Sequence, residues 1–88
     1  MGNYTVTFTR SARKELEALP ASVVRKIFPR IEALSREPRP RGSRKLQGEE
    51  NVWRIRVGDY RVIFTIDDAD HIVDVVAVRH RREAYRLK

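Results

Sequence analysis

The 88-residue chain contains no cysteine, so disulfide bracing and thiol chemistry are excluded. Only two histidines occur, His71 and His80, too few and too far apart in sequence to suggest a metal site. No apolar run approaches the ~18 residues that a membrane-spanning helix needs. The first residues, Met1-Gly2-Asn3-Tyr4-Thr5, carry neither a basic head nor an apolar stretch, so no signal peptide is visible and a cytoplasmic location is expected. Met1-Gly2 is a poor case for myristoylation, because Val6 stands where a Ser or Thr is required. Internal repeats and low-complexity tracts are missing as well. A chain this short builds one core, so residues 1–88 are expected to form a single domain.

Acidic residues are also in deficit. Twelve Asp and Glu face nineteen Lys and Arg, a net charge of +7, and fifteen of the nineteen cations are Arg. Arginine presents a rigid fork of donors matched to phosphate and carboxylate, whereas lysine is mainly a mobile point charge. The composition therefore points to a polyanion, an acidic protein partner, or both.

Tyr4, Val6 and Phe8 alternate with Thr5 and Thr7, which predicts a short strand with one buried face. Ser11 is a candidate cap for a following helix with Ala12, Leu16 and Leu19 along its apolar stripe. Pro20 suits the start of a second helix, whose buried face carries Val24, Ile27, Ile31 and Leu34. Pro29 lies inside that stripe and removes one helical hydrogen bond. The two helices are expected to form an antiparallel hairpin. The proline-rich stretch at residues 37–43 ends the helical region as a basic loop, and Leu46 is expected to return the chain to the core.

Val57-Gly58-Asp59-Tyr60 predicts a two-residue type II′ turn between strands 52–57 and 60–66. The register follows: Val57 faces Tyr60, Arg56 faces Arg61, Ile55 faces Val62, Arg54 faces Ile63 and Trp53 faces Phe64. Arg54, Arg56 and Arg61 then share the face turned away from the helices. After an acidic turn at residues 67–70, Ile72–Val78 has few polar residues and is expected to be an internal strand. Residues 79–86 are expected to form a short terminal helix. The order β-α-α-β-β-β-α is an α+β fold, a helical hairpin packed on one face of a small, mainly antiparallel sheet.

Arg56 opposite Arg61 is unfavourable on its own, since like charges across a strand pair repel. Two readings stay open: a solvated face where the side chains splay apart, with Asp74 neutralising one of them, or an anion site built on rigid strands. Arg79, Arg81, Arg82 and Arg86 follow the last strand and add cations if they fold beside that face. Glu15, Glu17 and Glu32 are most simply solvated, and His80 is a possible proton carrier. No Ser/His/Asp set, Gly-rich phosphate loop or paired carboxylate stands out.

The blocks Leu46-x-Gly48, Trp53-Arg54-Ile55-Arg56-Val57-Gly58-Asp59-Tyr60-Arg61-Val62-Ile63-Phe64 and Val78-Arg79-His80-Arg81-Arg82-Glu83-Ala84-Tyr85 resemble the RelE/ParE toxin superfamily, with most likeness to the RelE branch of type II toxin–antitoxin systems. The resemblance also takes in the Ser11-Ala12-Arg13-Lys14 helix start and Glu37-Pro38-Arg39-Pro40. It implies a RelE-like fold and a toxin that cleaves mRNA in the ribosomal A site by attack of the RNA 2′-hydroxyl, with no metal or cofactor. Its implied partners are an acidic cognate antitoxin, the ribosome with its message, and operator DNA for the toxin–antitoxin complex; no membrane is involved. The implied catalytic residues are Arg54, Arg56, Arg61, Arg81 and Tyr85. Arg61 and Arg81 would hold the scissile phosphate, Arg54 and Arg56 would supply electrostatic stabilisation, and Tyr85 would transfer a proton or stack on a base. Arg79, His80, Arg82, Arg86, Arg41, Arg44 and Lys45 are the implied RNA-binding residues. Some active relatives carry Lys where Arg54 and Arg56 stand, and an arginine is not a credible general base. ParE-like relatives that inhibit DNA gyrase are the alternative from the same fold; a module that only binds its antitoxin is a third.

Overall fold

A computed structural model describes residues 3–48 and 50–80. Strand β1 (Thr5–Phe8) leads into helix α1 (Arg10–Glu17) and helix α2 (Ala21–Glu32), which ends in a 3-10 turn at Ala33–Ser35. Strands β2 (Arg44–Lys45), β3 (Val52–Val57), β4 (Tyr60–Asp67) and β5 (Ile72–His80) follow. They form one five-stranded sheet in the order β1-β5-β4-β3-β2. Only β1 and β5 pair in parallel; the other neighbours are antiparallel. The α+β architecture is the expected one, with a two-residue strand β2 added. The expected terminal helix is not where it was placed at its start: Arg79 and His80 continue β5. Its remaining residues, including Arg81, Arg82, Tyr85 and Arg86, lie outside the described residues.

Helix α1 is capped two residues earlier than Ser11 predicts. Thr9 has extended backbone (φ −70°, ψ 163°) and its Oγ1 accepts from the Ala12 N–H at 3.1 Å. Ser11 lies inside the first turn, where its backbone is already helical and cannot serve as a cap. Pro20 is the residue before α2 rather than its first helical residue, and its carbonyl accepts from the N–H groups of Val23 and Val24. Ala12, Ile27, Ile31 and Leu34 from the helical layer are fully buried against Ile55, Val62, Phe64, Ile66, Val73, Val75 and Val78 of the sheet. Val23, Leu16 and Leu19 pack at the margin of this core.

The β3–β4 register matches the expected one at every pair, from Trp53↔Phe64 to Val57↔Tyr60. Gly58 has φ +61°, while Asp59 is not among the residues of positive φ, the signature of a type II′ turn. The β4–β5 ladder is less regular. Ile63 pairs with Ala77 but Phe64 pairs with Val75, so Val76 is an extra residue in β5. This bulge reverses the alternation of β5. Val73 and Val75 face the helices before it; Val78 and His80 face them after it, through their pairs Val62 and Tyr60.

Candidate nucleic-acid interface

Cross-strand partners share a face of a sheet, so the register fixes what the helix-free side presents. Arg56, Arg61 and Arg79 are successive partners on β3, β4 and β5 and make one row. The next row holds Arg44, Arg54, Ile63 and Ala77, and the one beyond holds Val52, Thr65, Asp74 and Thr7. The basic end of the face is therefore the end carrying the Gly58-Asp59 turn. Arg61 is only 9% exposed, Arg54 is half-buried and Arg56 is exposed. Asp74 is drawn elsewhere: it accepts from Thr7 Oγ1 at 2.8 Å, one row beyond Arg54.

A groove of about 310 Å³ opens beside β3, lined by Arg30, Arg41, Gly42, Arg44, Arg54, Ile55 and Arg56. It forms because β2 covers only the Trp53–Arg54 part of β3, leaving the rest of that edge to the loop before β2 and to α2. Gly42 has φ +92°, a conformation that favours glycine, and lets the loop turn there. Five arginines around one groove give a strongly positive potential suited to phosphates.

Arg79 is held at the other side. Its Nε donates to Glu15 Oε2 at 2.8 Å, while Glu15 Oε1 accepts from the Val78 N–H at 2.8 Å. Strand β1 ends at Phe8, so a carboxylate from α1 takes over the edge of β5 where no strand continues. The two terminal amino groups of Arg79 are the donors it can offer an anion. A second cavity, about 480 Å³, lies here between Ala18 and Leu19, which follow α1, and Tyr60, Val78 and His80. His80 meets Tyr60 edge-on, with ring centroids 5.4 Å apart.

The opposite end of the sheet is tied to the loop by a polar clasp. Arg39 donates to both oxygens of Asp68, at 3.2 and 2.8 Å, and Tyr4 Oη donates to Asp68 Oδ1 at 2.6 Å. The Arg39 guanidinium lies over the Trp53 ring, 5.2 Å from its centroid, and Tyr4 stacks on His71 at 4.8 Å. The Arg39 fork and then the Tyr4 hydroxyl hold the Asp68 carboxyl down to about 2. The same hydrogen bond to Asp68 raises the Tyr4 hydroxyl and Arg39 above their ordinary values.

A family model described as the ParE toxin of the type II toxin–antitoxin system parDE matches residues 6–85. The chain belongs to the RelE/ParE toxin superfamily. It is 34% identical over 84 residues to Toxin RelG of Mycobacterium tuberculosis, an alignment that covers 94% of this chain and 97% of the relative. Its fold is similar to that in the crystal structure of the RelBE2 toxin–antitoxin complex of the same organism. There the TM-score is 0.78 at 35% identity, over 90% of this chain and 99% of the other. The archaeal RelE–RelB complex of Pyrococcus horikoshii gives a TM-score of 0.79 at 30% identity, over 90% of this chain and 96% of the other.

For a RelE/ParE member, the structure gathers some implied residues and separates others. Arg54, Arg56, Arg61, Arg44 and Arg79 share the helix-free face, and Arg41 joins them through the groove. Lys45 pairs with Trp53 and so points to the other face, as His80 does with Tyr60. Arg81, Arg82, Tyr85 and Arg86 are not described. Two contributors carry no signal in the sequence: Arg30, one of two exposed arginines on α2, and Glu15, whose partners lie more than sixty positions away. Glu15 is correspondingly an ion-paired residue rather than a solvated one. Among the described residues no group of three or more His, Asp and Glu is placed to hold a metal ion, and no helix is long and apolar enough to cross a membrane.

Proposed function

We propose that this chain is a ribosome-dependent endoribonuclease toxin that cleaves mRNA in the A site and is neutralised by a cognate antitoxin. The observation that carries the reading is the row Arg56–Arg61–Arg79 beside the groove of Arg41, Arg44 and Arg54. Fixed cations on neighbouring strands suit a phosphodiester that gains charge as it reacts. The 2′-oxygen of the RNA attacks the adjacent phosphorus, its proton passing to a base, and the 5′-oxygen leaves with a proton from an acid. Arg61 and Arg81 hold the phosphate; Arg54 and Arg56 offset the charge on the 2′-oxygen and the phosphorane. Tyr85 transfers a proton or stacks on a base. Placement of the message by the ribosome supplies the in-line geometry. The family name of several relatives, toxin RelE or RelG, supports this reading.

The matching family description, the ParE toxin, keeps gyrase inhibition as the second reading. Primer extension on a translated message after induction separates the two. Discrete codon-linked cuts are expected for the nuclease; intact messages with DNA damage would favour the gyrase inhibitor. The relatives crystallised as RelB–RelE complexes support an antitoxin partner, and a +7 chain favours an acidic one.

A further inference from the structure

Arginines 39, 41 and 44 lie close together in sequence but part company in space. Arg41 and Arg44 line the groove beside β3, whereas Arg39 turns to Asp68 at the far end of the sheet. Between Arg39 and β2 a Ser43 N–H to Pro40 carbonyl bond at 2.9 Å closes the turn of the loop. Both ends of residues 40–43 are thereby fixed, one by β2 and the other by the Arg39 fork, which is itself pressed on Trp53. Trp53 is the strand neighbour of Arg54, so the clasp and the groove are built on the same stretch of β3.

We propose that Asp68, on the turn between β4 and β5, is a positioning residue for RNA binding: through Arg39 it sets the loop that brings Arg41 and Arg44 to the groove. The proposal rests on the RNA reading of that groove. Asp68 itself repels RNA, which gives the idea a sign that separates it from bulk charge. Removing an acid from a basic protein should tighten RNA binding if charge alone matters. If Asp68 acts by placement, its loss weakens binding although the net charge rises by one. Arg39→Lys makes the same point at constant charge, because an ammonium can neither fork onto a carboxylate nor lie flat on an indole.

The test uses the full chain and a short single-stranded RNA with 2′-O-methyl nucleotides, which cannot be cleaved, read by fluorescence anisotropy at several salt concentrations. Asp68→Ala and Arg39→Lys are each expected to weaken binding by about three- to tenfold, the range in which a residue acts through another. The dependence on salt becomes shallower, because fewer phosphates are met at once. In an Arg41→Ala, Arg44→Ala background the Asp68→Ala loss largely disappears. Hydrogen exchange at residues 41–45 quickens in Asp68→Ala without any RNA, while circular dichroism is unchanged. Binding that Asp68→Ala leaves equal or tighter, exchange that it leaves unaltered, or a loss that persists in full in the double background would each overturn the proposal alone. No RNA binding by the unaltered chain would overturn the RNA reading together with it.

Discussion

Arg61 is the most enclosed cation on the described helix-free face, flanked by Arg56 and Arg79 at strand spacing. Enclosure fixes a guanidinium and lowers the dielectric around it, so its interaction with a phosphate is worth more than that of an exposed arginine. Arg61→Leu is therefore expected to slow single-turnover cleavage of a ribosome-bound message by about 10²–10³. Arg41 cannot serve as a remote charge control, because it lines the same groove as Arg54 and Arg56. Arg13, exposed on α1, is the better control, and Arg13→Leu should leave the chemical step nearly unchanged. Equal losses in the two variants would remove the case for a localised site. Asp68 offers a test by pH. Its carboxyl is lowered from 3.8 to about 2 in the folded chain, so its contribution to stability is complete above about pH 4 and is lost as the pH falls through 2. Unfolding curves of the unaltered chain and Asp68→Asn should differ above pH 4 and converge near pH 2. Curves separated by a constant amount across that window would contradict the clasp.

Strands β3 and β4 show how a short signal can fix a long arrangement. Gly58-Asp59 selects the turn, the turn selects the register, and the register puts Arg56 opposite Arg61. Gly58→Val should disfavour the positive φ of that turn and reduce cleavage more than it reduces helix content. Cleavage unchanged beside an altered turn would show that the register is set elsewhere. That hairpin was legible because its determinants are local and periodic. The bulge at Val76 was not: the run of apolar residues from Val75 to Val78 hides any change of phase, since either face accepts a valine. Yet that one residue decides that Arg79 joins Arg61 while His80 joins Tyr60. Deleting Val76 should restore plain alternation, turn Arg79 toward the helices, and lose cleavage. It should also lose the Glu15 contact, seen as a faster-exchanging Val78 amide. The Thr9 cap, the Glu15 bridge and the Arg39–Asp68 clasp escaped the sequence for a related reason. Each depends on where the backbone comes to rest, and the last two join residues far apart in the chain. Of the site, the arginines of β3 and β4 could be read in advance; Arg30 and the placing of Arg41 could not, because an exposed arginine carries no pattern of its own.

At the scale of the whole molecule, charge and topology do different work. The +7 charge speeds encounter with any polyanion and fades with salt, whereas the rows of the sheet determine what an encountered phosphate meets. An antitoxin must answer both, with acidic residues for the long-range field and a shape that occupies the face or its grooves. The sheet order has a consequence for synthesis. The internal strand β5, lying between β1 and β4, is the last described element to be made, and β1, the first, has β5 as its only strand neighbour among the described residues. Until residues 72–80 have emerged, β1 has no partner and the α1 carboxylate of Glu15 has nothing to bridge. A nascent chain stalled before that point would hold a helical pair and a three-stranded piece, but no closed core and no row of three arginines. Translation-arrest force measurements should accordingly find one late folding event after β5 leaves the ribosome; an earlier event of full strength, before residue 72, would count against it. A protein proposed to act on ribosomes would then stay harmless to the very ribosome that is making it.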